Sequence, residues 1–356
     1  MATKAHVGLI GVGLMGHGIA TNILKHGYDL SFLDHPGNQP VADLIAKGAI
    51  KRATGAEVAA HSDIVVLCVT GTPQVEDALF RADGVLAGMK PGTIVIDCST
   101  AIPASTRVVA ARVAKAGGRF LDAAMTRTPK EAAEGRLNLI VGAPDALLAE
   151  VLPLLRCIAE NIAHAGPVGA GHQLKLLHNF VSLGFAAVLA EASAAARRAG
   201  VPATTFVDVV GKGGGGGVIL ERMKGFILAD DSSSFTFTIS NALKDLTYYT
   251  AMTENLGTAD GVAKAARDLA HPAGSTRMGT SPMNSVVDPK LTAHRIPNLS
   301  IASSSVFPSS GSANPTLAIM QLAMRAADAV AERLRARIIT VPLMPDMAPG
   351  SPAETP

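Results

Sequence analysis

The chain has 356 residues, which is long enough for two or three domains that each bury a core. Its formal net charge is +2 at pH 7, so the charge balance gives no reason to expect nucleic acid or an anionic membrane surface as a partner. The three cysteines, Cys68, Cys98 and Cys157, are irregularly spaced among apolar residues, which argues against a disulfide framework or a zinc site.

The apolar segments of the chain predict neither a signal peptide nor a membrane span. The apolar run 6–10 is too short for a signal peptide, and the most apolar later segment, 180–190, falls short of the roughly 20 residues of a membrane span. With free cysteines as well, we expect a cytoplasmic protein that binds no membrane.

Short runs rich in Val, Ile and Leu alternate with Ala-rich stretches from residue 5 to about residue 142. The strand candidates are 6–10, 29–33, 63–69, 93–97 and 137–141. This alternation predicts an α/β fold, a doubly wound parallel sheet of the Rossmann type covered by helices. From residue 169 to about 270 apolar residues recur at a helical period, starting with a predicted helix over 173–199, so an all-α domain follows.

Two further changes in composition divide the rest of the chain. The glycine run 213–217 lacks the ending of a phosphate-binding loop and is predicted to be a turn between helices. After residue 270 Gly, Ser, Pro and Asn dominate, and the Pro-rich end is predicted to be disordered. The predicted domains are 1–167 (dinucleotide binding), 168–270 (helical), 271–337 (an α+β fragment) and 338–356 (tail).

The first strand is followed directly by Gly11, Gly13 and Gly16 in the pattern G-x-G-x-x-G, at the start of a predicted helix over 14–26. The first glycine permits a tight turn, the second lets the backbone approach a pyrophosphate, and the third lets helix pack on strand. The pattern predicts a dinucleotide cofactor. Asp34, which ends the second strand, would bond the ribose hydroxyls of NAD and repel the extra phosphate of NADP, so NAD is favoured over NADP.

A second motif points to proton transfer. Gly169 and Gly171 precede Lys175 and Asn179, and a spacing of four places the lysine and the amide on one face of a helix. A lysine whose pKa is lowered by burial can take a proton from an alcohol or give one to a carbonyl, while the amide orients the oxygen. A lysine at this place in a helix can also be simply solvated.

The order of these motifs resembles the beta-hydroxyacid dehydrogenases, the family of 3-hydroxyisobutyrate dehydrogenase and tartronate semialdehyde reductase, over residues 1–270. The matching segments are Gly8 to Gly16, Asp97-Cys98-Ser99-Thr100 with Pro103, the Gly169 to Asn179 motif, and Lys244-Asp245-Leu246. The resemblance implies Lys175 as general acid and base with Asn179 as its partner. It implies cofactor contacts from Gly11, Val12, Gly13, Leu14, Met15, Gly16, Asp34, Val69, Thr70, Gln74, Thr100 and Lys244.

The chain departs from the family pattern in two places. His178 stands where many relatives carry a second Asn, and we interpret it as a residue that packs or that supports the residues of the site, rather than as a proton carrier. In the substrate loop Thr126, Arg127 and Thr128 replace the usual Ser-Gly-Gly. An Arg-Thr pair resembles the sulfolactaldehyde reductase branch and implies, with Thr100, a site for a strongly anionic substrate. The alternative is an Arg127 that faces solvent or pairs with Glu131.

Beyond residue 270 the resemblance changes to the C-terminal end of the glucose-methanol-choline oxidoreductases, carried by 271–279, 285–289, 298–299 and 305–315. In that family a His and a second His or Asn meet over a flavin, and His271 and Asn314 occupy those two positions here. The flavin domain of that family has no counterpart in this chain, so we expect both residues to be inactive. The chain therefore looks like a fusion joined near residues 270 and 271.

The sequence predicts an NAD(P)-dependent oxidoreductase that moves a hydride between nicotinamide and a small anionic 3-hydroxy acid or semialdehyde, with no metal. The resemblance implies a homodimer or homotetramer. The alternatives are a flavin-dependent remnant that uses His271 and Asn314, and a non-catalytic fusion product that only binds NAD.

Overall fold

The structure is a computed structural model that describes residues 4–234, 237–268, 292–293, 296–300, 327 and 332. Contacts divide the chain into two compact units. The first is built from residues 4–184 and 243–267, and the second chiefly from 185–234 and 237–242. The predicted domains 1–167 and 168–270 divide the chain differently, because the start of the long helix and the residues after 242 pack with the sheet.

The first unit contains an eight-stranded sheet with the order β3-β2-β1-β4-β5-β6-β7-β8. Its strands are β1 Val7–Ile10, β2 Leu30–Leu33, β3 Ile50–Arg52, β4 Ile64–Leu67, β5 Ile94–Asp97, β6 Arg119–Thr126, β7 Leu137–Gly142 and β8 Ala159–Gly166. The first six have the doubly wound Rossmann order, with the topological switch between β1 and β4. The predicted fold class is confirmed.

The sheet is mixed rather than wholly parallel, because β6 and β7 pair antiparallel. Only a short helix separates these two strands, and a parallel crossover needs a dozen or more residues. Three strands also lie outside the predicted set. β3 and β8 are polar strands at the two edges of the sheet, and β6 contains Asp122 and two alanines, so none of the three shows the β-branched run that identified the others.

Thirteen helices lie in the described part of the chain. They are α1 Leu14–Lys25, α2 Ala42–Ala46, α3 Gly55–Ala60, α4 Thr72–Phe80, α5 Val85–Gly88, α6 Pro103–Lys115, α7 Pro129–Glu134, α8 Asp145–Ile158, α9 Ala170–Arg198, α10 Ala203–Lys212, α11 Val218–Ala229, α12 Ile239–Leu256 and α13 Gly261–Asp268. The glycine run 213–217 falls between α10 and α11, which confirms the predicted turn.

The core of the first unit lies on both faces of the sheet. Successive residues of a strand point to opposite faces, so Leu9 joins one buried cluster and Ile10 the other, and Val66 and Val65 divide in the same way. Burial on both faces explains why the central strands are continuous apolar runs. This arrangement fixes the strand ends, and therefore the loops that follow them, in a rigid frame.

The second unit is mainly helical in its described part. A small core of Leu189, Val207, Leu220, Met223 and Ile227 joins the end of α9 to α10 and α11. A two-stranded antiparallel pair, β9 Thr292–Ala293 and β10 Ile296–Ser300, follows later in the chain. The remainder of the predicted fragment 271–337, and the predicted tail 338–356, lie outside the described residues apart from two single positions.

Helix α9 has 29 residues and a mean hydropathy of 1.4 over its most apolar window, so by length and composition it could cross a membrane. The apolar run 180–190, considered alone, is too short to span a membrane and did not predict that the whole helix is long enough. One such helix is weak evidence of a span, and its first three turns carry the buried polar residues His172, Lys175 and Asn179. That the protein binds no membrane stays a prediction.

Candidate active site

The glycine loop between β1 and α1 is shaped by close backbone approach. Gly11 has a φ of +99°, and a Cβ there would lie 2.3 Å from the carbonyl oxygen of Cys68. A Cβ on Gly16 would lie 1.9 Å from the carbonyl oxygen of Gly11. Both positions therefore require glycine for folding.

Gly13 differs, because a Cβ there would meet nothing within 4 Å. The residue is the N-cap of α1, and no side chain caps the helix at this end. Open space beside free backbone N–H groups at a helix N-terminus is what a pyrophosphate needs. The loop therefore fits a dinucleotide, with Val12 buried beneath it and Met15 packed against the core.

Asp34 directly follows β2 and is half exposed. Its carboxylate pairs with Lys51 Nζ at 2.8 Å, and its backbone N–H donates to the carbonyl oxygen of Arg52. Both basic residues belong to the neighbouring edge strand β3. The sequence has no Arg immediately after Asp34, and Lys51 could not be predicted as its partner because it reaches Asp34 from the neighbouring strand.

The loops after β4 and β5 lie at the same edge of the sheet as the glycine loop, because β1, β4 and β5 are parallel neighbours. They carry Val69, Thr70 and Thr100, and Gln74 lies in the first turn of α4, directly after the β4 loop; Thr70 and Gln74 are exposed. The two loops are tied together, since the backbone N–H of Ile102 donates to Thr72 Oγ1 at 2.9 Å. The predicted nicotinamide-side residues therefore share one edge.

The start of α9 is held by a buried carboxylate. Asp122 on β6 accepts hydrogen bonds from the backbone N–H groups of Gly169 (2.6 Å) and His172 (2.7 Å). An acid at a helix N-terminus satisfies free N–H groups and interacts favourably with the helix dipole. Gly171 is required because a Cβ there would lie 2.4 Å from the carbonyl oxygen of Ile140. The two glycines of the motif thus let the lysine helix meet the sheet.

Lys175 lies one turn into this helix with only 8% of its surface exposed. Burial, which penalises the charged form, lowers the pKa of Lys175 from 10.5 to about 8. The negative charge of Asp245 opposes this effect and the positive charge of Lys244 adds to it. The side chain can therefore exist as amine or ammonium near neutral pH.

Asn179, one turn after Lys175, is also buried. Its Nδ2 donates to Asp245 Oδ2 at 2.5 Å, which joins α9 to α12. Lys244 Nζ lies 3.1 Å from Asp245 Oδ1 and donates to the carbonyl oxygen of Thr70 at 2.5 Å. A continuous polar chain therefore runs from helix α9 to the β4 loop.

Sequence reasoning did not single out Tyr248, although it lies one helical turn after Lys244. The backbone N–H of Thr72 donates to the hydroxyl oxygen of Tyr248 at 3.2 Å, and a Cβ on Gly71 would meet that hydroxyl at 2.6 Å. The i, i+4 spacing from Lys244 is the signal that could have identified it. Two side chains of α12 thus hold the β4 loop.

The substrate loop at the end of β6 is occupied by internal contacts. Arg127 has a φ of +81°, a left-handed conformation that is uncommon outside glycine. Its guanidinium donates to the Glu160 carboxylate and to the carbonyl oxygen of Arg136. The pairing partner is therefore Glu160 and not Glu131, which the alternative interpretation had named.

Glu131 instead accepts from the hydroxyl and the backbone N–H of Thr128, a capping box that begins α7. Thr126 ends β6 and is partly buried. His178 is exposed, so it is not a packing residue, and its Nδ1 lies 3.0 Å from Asn179 Oδ1. His271 and Asn314 lie outside the described residues.

A glycine-loop Rossmann sheet with a buried lysine beside it defines a nicotinamide-dependent dehydrogenase. Comparison with known proteins agrees: residues 6–166 match the NAD binding domain of 6-phosphogluconate dehydrogenase. No group of three or more metal-ligating side chains occurs in the part of the chain that the structure describes.

The chain belongs to the beta-hydroxyacid dehydrogenase family and is an NAD(P)-dependent oxidoreductase. It is 33% identical to 2-(hydroxymethyl)glutarate dehydrogenase of Eubacterium barkeri over 65% of this chain and 77% of that protein. It is 30% identical to 3-sulfolactaldehyde reductase of Escherichia coli over 68% of this chain and 81% of that protein. The crystal structure of 3-hydroxyisobutyrate dehydrogenase from Salmonella typhimurium superposes with a TM-score of 0.65 and 30% identity, covering 75% of this chain and 93% of that one.

A second family model, GMC oxidoreductase, matches residues 229–323. This confirms the resemblance of the later segment, and the match starts earlier than the predicted junction near residue 270. It includes α12, whose residues Lys244 and Asp245 contact the lysine helix and the β4 loop in the first unit.

Proposed function

We propose that this enzyme transfers a hydride between nicotinamide and a small anionic 3-hydroxy acid or its semialdehyde, with Lys175 as general acid and base. The observation that carries the proposal is the burial of Lys175, which brings its pKa to about 8. Proton transfer is most efficient when the pKa of the catalytic group lies near the working pH.

In the oxidation direction the neutral amine of Lys175 takes the hydroxyl proton of the substrate, and in the reduction direction the ammonium returns a proton to the carbonyl oxygen. The bound nicotinamide supplies or accepts the hydride. Asn179 uses one N–H for Asp245, and its second amide N–H is the group we assign to orienting the substrate oxygen. Asp245 balances the charge of the ammonium form.

We assign binding of the substrate anion to Thr100, Thr126, Arg127 and Thr128. The relatives named above act on 2-(hydroxymethyl)glutarate and 3-sulfolactaldehyde, which are both anions. Arg127 is paired with Glu160, so a substrate anion would have to compete with that carboxylate for the guanidinium. This competition favours a strong, geometrically matched anion over a weak one.

We propose NAD as the preferred cofactor, with NADP less favoured, because the Asp34 carboxylate stands at the position that contacts the adenosine ribose. Lys51 lies against that carboxylate and would soften the repulsion of an extra phosphate. The preference is therefore expected to be moderate rather than absolute.

The decisive experiment measures oxidation of NADH and of NADPH against succinic semialdehyde, tartronate semialdehyde and 3-sulfolactaldehyde. Lys175→Ala should abolish turnover and leave NAD binding intact. The matched control is Lys212→Ala, since Lys212 is exposed and pairs with Asp208 one turn away on α10. Normal turnover by the Lys175→Ala enzyme would refute the assignment.

Two other functions are separated by simple measurements. A flavin absorption spectrum in the purified protein would favour the flavin-dependent alternative that uses His271 and Asn314, which the match to the GMC model keeps open. Tight NAD binding without turnover across the panel would favour a non-catalytic fusion product.

We also propose a homodimer or homotetramer in the cytoplasm. Large apolar side chains of α9, among them Val181 (66% exposed) and Val188 (59% exposed), are exposed and suit burial against another copy. All three cysteines are free, which suits a reducing compartment. Light scattering of the purified protein would measure the assembly, and a monomer would contradict the proposal.

A further inference from the structure

Two buried polar side chains face each other beneath the lysine helix. His172 is 0% exposed and Asp97 is 1% exposed. His172 Nε2 lies 3.9 Å from Asp97 Oδ2, and neither atom has a hydrogen-bond partner in the described part of the chain. Leaving a buried polar atom without a hydrogen bond destabilises the folded state, so the contact needs a physical explanation.

The surrounding hydrogen bonds limit where protons can sit. Thr106 Oγ1 donates to the carbonyl oxygen of Ile102 at 3.1 Å, one turn earlier in the chain. The same Oγ1 lies 2.7 Å from His172 Nδ1. With the hydroxyl proton directed at Ile102, Thr106 can only accept from Nδ1–H, and a neutral imidazole then turns a lone pair on Nε2 toward Asp97.

A lone pair on Nε2 facing an ionised carboxylate oxygen would be repulsive, and one added proton removes the conflict. Burial makes the ionised state of Asp97 costly and raises the pKa of its carboxyl, against the lowering effects of His172 and of the Ser99 hydrogen bonds. The Asp122 carboxylate from β6 raises that pKa further. The neighbouring thiols of Cys68 and Cys98 have raised pKa values themselves and bring no compensating positive charge.

The pair connects two parts of the site. His172 precedes Lys175 by three residues on α9, so both lie on neighbouring positions of one helix face. Asp97 Oδ1 accepts the backbone N–H of Ser99 at 2.9 Å, and Ser99 Oγ in turn accepts the backbone N–H of Val69 at 3.1 Å. The contact therefore joins the lysine helix to the loops that carry Val69 and Thr100.

We propose that Asp97 and His172 together hold one proton, on the carboxyl or on Nε2, and that this pair, which then has no net charge, acts as a positioning device that holds Lys175 in register with the loops after β4 and β5. The role in positioning deepens the function proposed above and rests on it. The placement of the proton does not depend on that function.

The kinetic test compares variants of the pair. His172→Leu removes both polar contacts, and we expect kcat to fall about tenfold to a hundredfold, as small displacements of reacting groups do. The rate is expressed per folded active site, counted by titration of NADH binding, so that a smaller folded fraction is not mistaken for a lower kcat. The KM for NADH should stay within about twofold. Asp97→Asn should retain kcat, because an amide N–H can replace the shared proton while the amide oxygen still accepts from Ser99.

His164→Leu is the matched control, since His164 lies on β8 and contacts the exposed Asp145 and the carbonyl oxygen of Ala143. If His172→Leu fails to fold, Thr106→Val replaces it, because that change removes only the acceptor of Nδ1–H. Wild-type kcat in whichever of these two variants is measured would overturn the positioning role. If Asp97→Asn lost as much activity as His172→Leu, the negative charge of Asp97 would be needed, and the proposal that the pair holds one proton would be overturned.

The proton is located by NMR of protein labelled with ¹⁵N-histidine, with the His172 signals identified by their absence in His172→Leu or, if that variant does not fold, in His172→Gln. A protonated Nδ1 supports the proposal, and an unprotonated Nδ1 overturns it. If the wild-type enzyme turns over no substrate of the panel, the proposed function fails while this measurement still decides the proton placement.

Discussion

Replacing Lys175 with methionine tests the burial of the lysine without relying on activity. Methionine keeps an unbranched chain of similar length and carries no charge. In the folded protein the pKa of Lys175 is lowered from 10.5 to about 8, so holding the charged lysine in place disfavours folding by about 3 kcal/mol at pH 7. The Lys175→Met variant should therefore be more stable to urea at pH 7, by up to that amount, and inactive.

The dependence on pH separates the charge from other effects of the substitution. Because the folded-state pKa lies below the unfolded one, the unfolded chain binds more protons between pH 8 and 10.5, and the stability of the wild-type protein rises with pH across that window. The penalty is fully present below pH 8. Between pH 7 and pH 9 the difference in unfolding free energy between the two proteins should shrink by about 1 kcal/mol.

Urea unfolding followed by circular dichroism at the two pH values gives this difference directly, since all other titrating groups are common to both proteins. The wild-type rate of alcohol oxidation should rise with an apparent pKa near 8 in the same range. A stability difference that does not change with pH would refute the desolvated lysine, and with it the physical basis of the proposed acid and base.

Gly16→Ala should lower the free energy of unfolding, since its Cβ would lie 1.9 Å from a backbone oxygen. Gly13→Ala should unfold like the wild-type protein but bind NADH more weakly. Urea unfolding and calorimetric titration of NADH would measure the two quantities, and equal effects of the two substitutions would contradict the geometry. Asp34→Ala should raise kcat/KM with NADPH relative to NADH, and an unchanged ratio would remove Asp34 from the cofactor site. Glu160→Gln should free Arg127 and lower the KM for an anionic aldehyde about two- to tenfold, and a higher KM would show that the pair supports the loop instead.

Several residues of the candidate site could be predicted from local sequence patterns, because the conformations and spacings that they require are set by residues close in the chain. Gly11 needs a left-handed φ and Gly16 needs close backbone contact, and both follow from neighbours in the chain. The spacing of Lys175 and Asn179 follows from the helical period. For the same reason the central strands could be predicted, since burial on both faces selects continuous apolar runs.

Pairings across the sheet and between helices could not be predicted in this way. The cation beside Asp34 comes from β3, a polar edge strand without an apolar signal, and the partner of Arg127 comes from β8 for the same reason. Asp245 and Tyr248 were within reach of sequence reasoning through their spacing from Lys244, but their contacts depend on how α12 packs.

The sequence by itself determined the Rossmann-type fold class, the glycine loop and the lysine on its helix, because each rests on periodicity or on a backbone conformation that only certain residues adopt. Only the tertiary structure decided the ionisation of Lys175 and the meeting of Asp97 with His172. Burial and charge are set by residues distant in the chain, and a pKa depends on the solvent that folding removes.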